Sequence, residues 1–422
     1  MSTWPPAGAD VVVVGAGPAG CVMARRLAEA GADVLLLEAG AELASRRAGL
    51  LNVGPESRVV AHHDAELGGV PLELTRGRTL GGSGAVNGGY CSPMTPAELA
   101  VWGPGWPRRY AVGLARAAER LRPRVPQSDP VAARVAAAFP GRLSVIAQAR
   151  RGEHRVTAFD AWNPPGAGAR VVTGAPVREL RWAGGHEGGR CDGVVLTEGV
   201  EVPAGAVVLC AGAISTAALL LGSGIGPGTG HPVGTGTEEH PEVLLALDGD
   251  PSAGQSFPGA LPPLLSRVAR LELGDARVEV RPYSVPLHRV IPGLDPQPHR
   301  IGIALMNAAG RGEVRPQPDG GVRVVLDARP DSRDAAALDE AAALVGERLG
   351  LDASPVVSTS QHLSGSARIG EVVDDSGRVL GVGGLRVADA SVFPTLPLRG
   401  PYYSVLAVAE DLAARMVSEQ AW

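Results

Sequence analysis

Residues 9–40 read ADVVVVGAGPAGCVMARRLAEAGADVLLLEAG, and the order of residue types in this stretch decides the fold. Asp10–Val14 is a continuous β-branched run, as expected for a strand buried on both faces of a parallel sheet. Gly15-x-Gly17-x-x-Gly20 follows, with Pro18 and Ala19 inside it, and then a segment with helical spacing in which Val22, Leu27 and Ala28 share a face. Gly31 marks the helix end, and Val34–Leu37 forms a second buried strand closed by Glu38. Gly15 permits the tight turn, Gly17 admits a pyrophosphate to the backbone, and Gly20 lets the helix pack against the strand. The helix N-terminus supplies free N–H groups and a positive dipole end. Glu38 stands where a carboxylate accepts hydrogen bonds from ribose hydroxyls. This is a dinucleotide-binding βαβ unit. The acid at 38 disfavours NADP and leaves NAD and FAD open.

A second glycine-dense segment, RGRTLGGSGAVNGGY (76–90), is suited to lie flat against a planar or phosphorylated ligand. The chain has 422 residues with 58 glycines and 36 prolines, together about a fifth, below the roughly 25–30% that marks low complexity. The length predicts two or three domains with a sizeable core. Net charge is −5 and all 39 basic residues are arginine, which excludes a nucleic-acid footprint and lysine chemistry such as a Schiff base. Cys21, Cys91, Cys191 and Cys210 form no CxxC pair, which reads as a reducing compartment with neither disulfide framework nor zinc site. Met1–Asp10 lacks the pattern of a signal peptide, and no apolar run reaches the roughly 18 residues of a membrane span, so a cytoplasmic protein is expected.

Four ordered segments resemble the glucose–methanol–choline (GMC) family of flavoprotein oxidoreductases. They are the 76–90 loop, AGAISTAALLLGSGIGP (211–227), Glu239-His240-Pro241, and GGLRVADASVFP (383–394). The resemblance implies an α/β FAD-binding domain, Rossmann-like and of the glutathione-reductase type, with an α+β antiparallel-sheet substrate domain. The FAD-binding domain is expected from 1–122, 165–240 and 358–422, and the substrate domain from 241–357 plus part of 123–164. It also implies FAD rather than NAD. Gly15, Gly17, Pro18, Ala19, Gly20 and Glu38 would hold the ADP half. Gly82, Ser83, Asn87 and Gly88 would line the ribityl and ring region, Arg78 would be a further cofactor-binding residue, and Ala211 belongs to the second signature. Val177 would reach the adenine through its backbone. Asp389 and Ala390 would approach the pyrophosphate and ribityl chain, with Pro401, Tyr402 and Ser404 at the flavin edge. Some members attach FAD covalently through a histidine just before the loop asparagine; here that position is Val86, so non-covalent FAD is expected.

Alcohol oxidation by a flavin needs a base for the hydroxyl proton and a hydride acceptor at N5. Histidine suits the first task because its pKa lies near neutrality. QHLSGSARIG (361–370) resembles the family stretch His-x-x-Gly-Thr-x-Arg-Met-Gly, and His362 falls on the catalytic histidine. The family's second polar residue falls on Gly400. Three readings stay open: His362 works alone with a water; Arg399, Tyr402 or Tyr403 supplies the missing group; or the chain has lost ordinary alcohol oxidation. Tyr90, Arg399 and Tyr403 are the candidate substrate residues.

Segments 243–247, 266–271, 276–281, 300–305 and 321–326 read as strands of an antiparallel substrate sheet, 333–349 as a helix, and 123–168 as loop with a short helix near 131–139. His62, His63 and Asp64 read as a solvated loop, a lid over the flavin, with no third metal ligand spaced with them; no metal is expected. The expected partner is a small-molecule alcohol or a reduced redox cofactor, and the sequence leaves oxygen, a quinone or another carrier, a respiratory one among them, open as electron acceptor. The loop form and the short chain resemble the actinobacterial mycofactocin-system oxidoreductases, which implies reoxidation of mycofactocinol. The alternatives are an FAD-containing hydroxynitrile lyase and a non-catalytic flavin-binding or electron-carrying protein.

Overall fold

The computed structural model describes residues 8–41, 47, 49–184, 189–249, 263–317, 321–327, 332–352, 354–420 and 422. Most of the segment read for a signal peptide, 1–7, therefore lies outside the described residues.

Strand Ala9–Val14 pairs in parallel with Val34–Leu37 on one side and with Glu201–Leu209 on the other. Arg170–Val172 and Leu385–Val387 extend the parallel set at its two edges. The first part of Glu201–Leu209 also joins the antiparallel strands Cys191–Leu196 and Val177–Trp182, giving a seven-stranded sheet. Val11, Val12, Val13, Leu35 and Leu36 are all 0% exposed, because both faces of the parallel strands are covered. Helix Pro18–Glu29 packs on Tyr402–Glu419, and that C-terminal helix packs on Trp106–Leu121.

A six-stranded antiparallel sheet runs Val356–Thr359, Pro241–Leu247, His299–Leu305, Ala276–Pro282, Arg267–Leu273 and Leu143–Val145. Its apolar face packs on helices Arg333–Leu349 and Pro130–Ala138, which bury Leu338, Val345, Val131 and Val135 against Leu245, Val280 and Ile303. The stretch read mainly as loop thus supplies both an edge strand and a helix to this sheet.

Two expectations are corrected. Residues 321–326 do not join the antiparallel sheet. Gly312–Pro316 and Val322–Leu326 form a five-stranded sheet with Thr235–Thr237, Val60–Leu67 and Val70–Gly77. Val314, Val324 and Leu326 belong to the same apolar core as the parallel strands, so this part of 241–357 sides with the nucleotide fold. The reason is the register Val324↔Ala65, a pairing across more than 250 residues that local alternation cannot reveal. The second correction concerns His62, His63 and Asp64, which lie within strand Val60–Leu67 rather than a loop.

The four cysteines are free and buried. Among the described residues no helix is long and apolar enough to cross a membrane, and no group of three His, Cys, Asp or Glu side chains could hold a metal.

Candidate active site

The Gly15–Gly20 turn sits at the carboxyl ends of the parallel strands. Gly15 has φ of +98°, and a Cβ on Gly20 would lie 1.8 Å from the Gly15 carbonyl oxygen, so no larger residue fits there. Pro18 opens the helix and Cys21 is the first residue to bond back, to the Gly17 carbonyl. The N–H groups of Ala19 and Gly20 thus precede the helix's own ladder, as an anion site requires. The 76–90 loop lies directly on this turn: Gly81 N–H donates to the Ala16 carbonyl at 2.8 Å, and a Cβ on Gly82 would lie 2.7 Å from Gly17 Cα. Ala211, at the start of helix Gly212–Gly222, has its Cα 3.0 Å from where a Gly15 Cβ would stand.

Glu38 is buried and accepts the Ala16 and Gly40 N–H groups, both at 2.9 Å. Burial raises its carboxyl pKa, and those two N–H bonds and the exposed Arg78 act in the opposite direction. Glu38 N–H donates to the Val172 carbonyl and its own carbonyl accepts from Ala175, so the segment leading to Val177 runs alongside the acid.

Arg155 is a feature the sequence reading missed. It is 5% exposed, and its guanidinium donates to the Asn87 and Leu50 carbonyls and to the Asn87 side chain. Among the described residues no carboxylate pairs with it, and burial lowers its pKa to about 10. A buried cation beside the 82–88 loop, free N–H groups at a helix start and an acid at the second strand together fit a dinucleotide with an anionic pyrophosphate.

Several side chains named from the sequence are otherwise engaged. Asp389 is saturated: Oδ2 accepts from Gly212 N–H and Thr216 Oγ1, and Oδ1 from Ser391 N–H and Oγ. It clamps the end of strand Leu385–Val387 to helix Gly212–Gly222, while the carbonyls of Asp389 and Ala390 accept from the N–H groups of Val392 and Gly365. Ser404 is 0% exposed with its hydroxyl 3.1 Å from Tyr110 Oη, so it does not edge the flavin. Arg399 is held by both carboxylate oxygens of Glu98, at 3.2 and 2.5 Å, and cannot replace the missing polar residue. Ser83 Oγ accepts from Gly77 N–H, and Asn87 Oδ1 accepts from Gly89 N–H. A Cβ on Gly88 would collide with the Tyr90 ring, and one on Gly84 with the Tyr402 ring behind Pro401. Among the described residues the buried hydroxyls of Tyr90 and Tyr402 have no hydrogen-bond partner; Tyr403 is buried near Cys91 and Tyr110.

His362 is brought to the site by strand pairing. The register Pro241↔Thr359 sets His240 beside Ser360, whose N–H donates to the His240 carbonyl at 3.0 Å. Glu239 then fixes both histidines: its Oε1 accepts His240 N–H at 2.8 Å and His362 N–H at 2.7 Å. The two rings meet edge to face, with Nδ1 of His240 2.9 Å from Nδ1 of His362. On the far side a Cβ on Gly400 would lie 3.4 Å from His362 Nε2, so the glycine faces this nitrogen directly. Behind the pair, Arg281 donates to Glu242 at 2.8 Å and to Ser360 Oγ at 2.6 Å, and Tyr283 Oη donates to Glu242 at 2.8 Å. Burial holds the His362 imidazole well below its ordinary range, reinforced by His240, Arg281 and Arg76. Burial followed by Arg281 lowers His240 to about 3. The sequence signal for His240 was the Glu239-His240-Pro241 element, but its partner appears only through the register.

The low His240 pKa sets a pH dependence of stability. The unfolded chain takes a proton as pH falls through the ordinary histidine value of 6.5, while the native site refuses it down to about 3. The unfolded state then binds more protons, so stability falls as pH is lowered through that window. His63, lowered to about 4 chiefly by burial, acts in the same direction. The thermal midpoint is expected to drop between pH 7 and 5, and His240→Asn to flatten part of that drop. Parallel curves for the two proteins would contradict this.

The fold and these donors define an FAD-dependent oxidoreductase. Residues 10–76 match the family model described as FAD dependent oxidoreductase, and residues 138–242 and 308–409 match the two described as GMC oxidoreductase. An uncharacterized GMC-type oxidoreductase of Rhodococcus erythropolis is 31% identical over 508 aligned positions, covering 98% of this chain and 99% of the relative. A second, from Mycobacterium tuberculosis strain H37Rv, is 29% identical and covers 97% and 76%. Among solved structures, pyridoxine 4-oxidase from Mesorbium loti superposes with a TM-score of 0.79 at 23% identity, covering 96% of this chain and 98% of that one. A fungal aryl-alcohol oxidase does so with 0.77 at 17%, covering 98% and 99%. The chain belongs to the GMC oxidoreductase family, and FAD is its cofactor.

Proposed function

We propose that the protein oxidises a CH–OH group of a small molecule, with His362 as the base. The observation that carries this is the setting of His362 Nε2: it faces the Cβ-free wall at Gly400, on an imidazole held neutral by burial and two nearby cations. A neutral imidazole accepts a hydroxyl proton, and glycine at 400 sets no side chain against Nε2, where the substrate hydroxyl is proposed to bind. FAD, when bound, supplies the hydride acceptor. Gly15, Gly17, Pro18, Ala19, Gly20, Glu38 and Arg78 hold its ADP half, and Gly82, Asn87, Gly88 and Arg155 stand along the remainder. The domain division 1–122, 165–240 and 358–422 against 241–357 is kept with one change, the transfer of 312–326 to the FAD side. Support for an alcohol substrate comes from a 64-residue match, 47% identical, to the 5-(hydroxymethyl)furfural oxidase of Methylovorus sp.. The finer reading is reoxidation of mycofactocinol with electrons passed to a respiratory acceptor.

Anaerobic mixing with a panel of alcohols, including reduced mycofactocin, tests this. Bleaching of the oxidised-flavin band supports the proposal. Cleavage of a cyanohydrin without bleaching marks a lyase, and no turnover with any substrate marks an electron carrier. Val86 also predicts non-covalent FAD: acid precipitation is expected to leave the flavin in the supernatant, and a yellow pellet would contradict it.

A further inference from the structure

We propose that His240 is a positioning residue that fixes the tautomer of His362, so that Nε2 of His362 carries the reactive lone pair. The inference deepens the proposed function, since it takes His362 as the base.

The argument starts from a single distance. Two neutral imidazoles whose Nδ1 atoms lie 2.9 Å apart can share only one proton between them. If His240 donates, His362 must carry its proton on Nε2, and the atom facing Gly400 becomes a donor with no basic lone pair. If His362 donates, its Nε2 is bare and basic, and His240 carries its own proton on Nε2. The surroundings select the second arrangement. His240 is fully buried on the strand side of the pair, and among the described residues its Nε2 is the ring atom left without a hydrogen-bond partner. The backbones of Pro397 and Met306 act on this ring in the sense that favours a proton. An N–H directed toward weak carbonyl acceptors costs less than a bare lone pair buried beside the same oxygens. His362 has the opposite setting: its Nε2 faces Gly400, which sets no side chain against it.

Both rings are fixed before any substrate arrives. Glu239 accepts the backbone N–H of each histidine, so ring-to-ring geometry is set by one buried carboxylate. In the proton-transfer step the substrate O–H bond breaks, its electron pair stays on oxygen, and an Nε2–H bond forms on His362. The Nδ1–H of His362 remains donated to His240 throughout. His240 thereby supports the base from behind, where the side chain missing at Gly400 would have supported it from the front.

The test is a nitrogen NMR measurement on FAD-loaded protein labelled at histidine ring nitrogens, with His362 assigned by its loss in His362→Gln. The resting wild type is expected to show His362 protonated at Nδ1 and bare at Nε2. His240→Leu is expected to move the proton to Nε2 and to slow the limiting rate of flavin reduction by about 10²-fold with little change in KM. His240→Asn, which offers an amide oxygen near the Nδ1 position, is expected to keep the wild-type tautomer and to lose less rate than His240→Leu. A wild-type His362 protonated at Nε2 overturns the proposal, as does a His240→Leu protein that keeps both tautomer and rate. The wild-type spectrum needs no variant to fold. It needs no substrate either, so failure here is separable from failure of the alcohol-oxidation reading.

Discussion

Replacing His362 by alanine is expected to slow flavin reduction by a substrate alcohol by about 10²–10⁴-fold, the usual range for removal of a positioned base, with FAD content unchanged. The separation of the two readouts follows from the geometry. His362 touches Glu239 through its backbone, which alanine keeps, and His240 and Gly400 through its ring, which alanine removes. The turn at 15–20, Glu38 and the 82–88 loop make none of their contacts through this ring. The absorbance spectrum and flavin-to-protein ratio should therefore match wild type while stopped-flow reduction collapses. Because the native imidazole is neutral well below its ordinary pKa, the wild-type rate is expected to show no protonation limb from His362 between about pH 6 and 8. An alanine variant reduced at the wild-type rate would remove His362 from the mechanism. It would leave Tyr90, whose buried hydroxyl has no partner among the described residues, as the next candidate.

The parts of the fold legible in the sequence are those set by neighbours along the chain. The 15–17–20 spacing, the strands on either side and Glu38 are local, and the turn forms as the residue types require. The same holds for helix Arg333–Leu349 and for the strands near 243–247 and 276–281. What sequence reasoning could not reach was the destination of each polar group. Asp389 and Arg399 are polar residues in cofactor-like segments, yet tertiary neighbours at Thr216 and Glu98 consume them. Ser404 is lost to Tyr110 in the same way. The reverse also occurs: His240 stood in a quoted motif without a role until the register Pro241↔Thr359 placed its ring against His362. Arg155 carried no local signal, because what singles it out is the absence of a carboxylate partner among the described residues.

Glu410→Leu is expected to lower the temperature of FAD release and of unfolding together, through a contact remote from the chemistry. Glu410 is 0% exposed on the C-terminal helix. Its Oε2 accepts Arg26 Nε at 2.7 Å, and its Oε1 accepts Arg26 Nη2 at 3.0 Å and Trp162 Nε1 at 2.8 Å. Arg26 belongs to the helix Pro18–Glu29 whose first turn is proposed to hold the pyrophosphate, so this carboxylate ties that helix to the C-terminal helix. Leucine replaces the volume and removes every acceptor. Breaking a buried pair from one side typically costs about 3–5 kcal/mol, because the remaining charge is uncompensated. The Arg26 side chain keeps 24% exposure and its ion pair with Glu29 at 3.0 Å, so the cost here should fall toward about 2–3 kcal/mol. Removing both charges should hurt less than removing one: Arg26→Leu with Glu410→Leu is expected to recover part of the loss, since the cation deprived of its buried partner is gone. Trp162 would still lack its acceptor, so recovery should be incomplete and is expected to improve with Glu410→Gln, which keeps a carbonyl oxygen for the indole. A single Glu410→Leu protein that melts and releases FAD at the wild-type temperature would show that the helix pair is held by its apolar contacts alone, such as Gly113 against the Ala407 backbone.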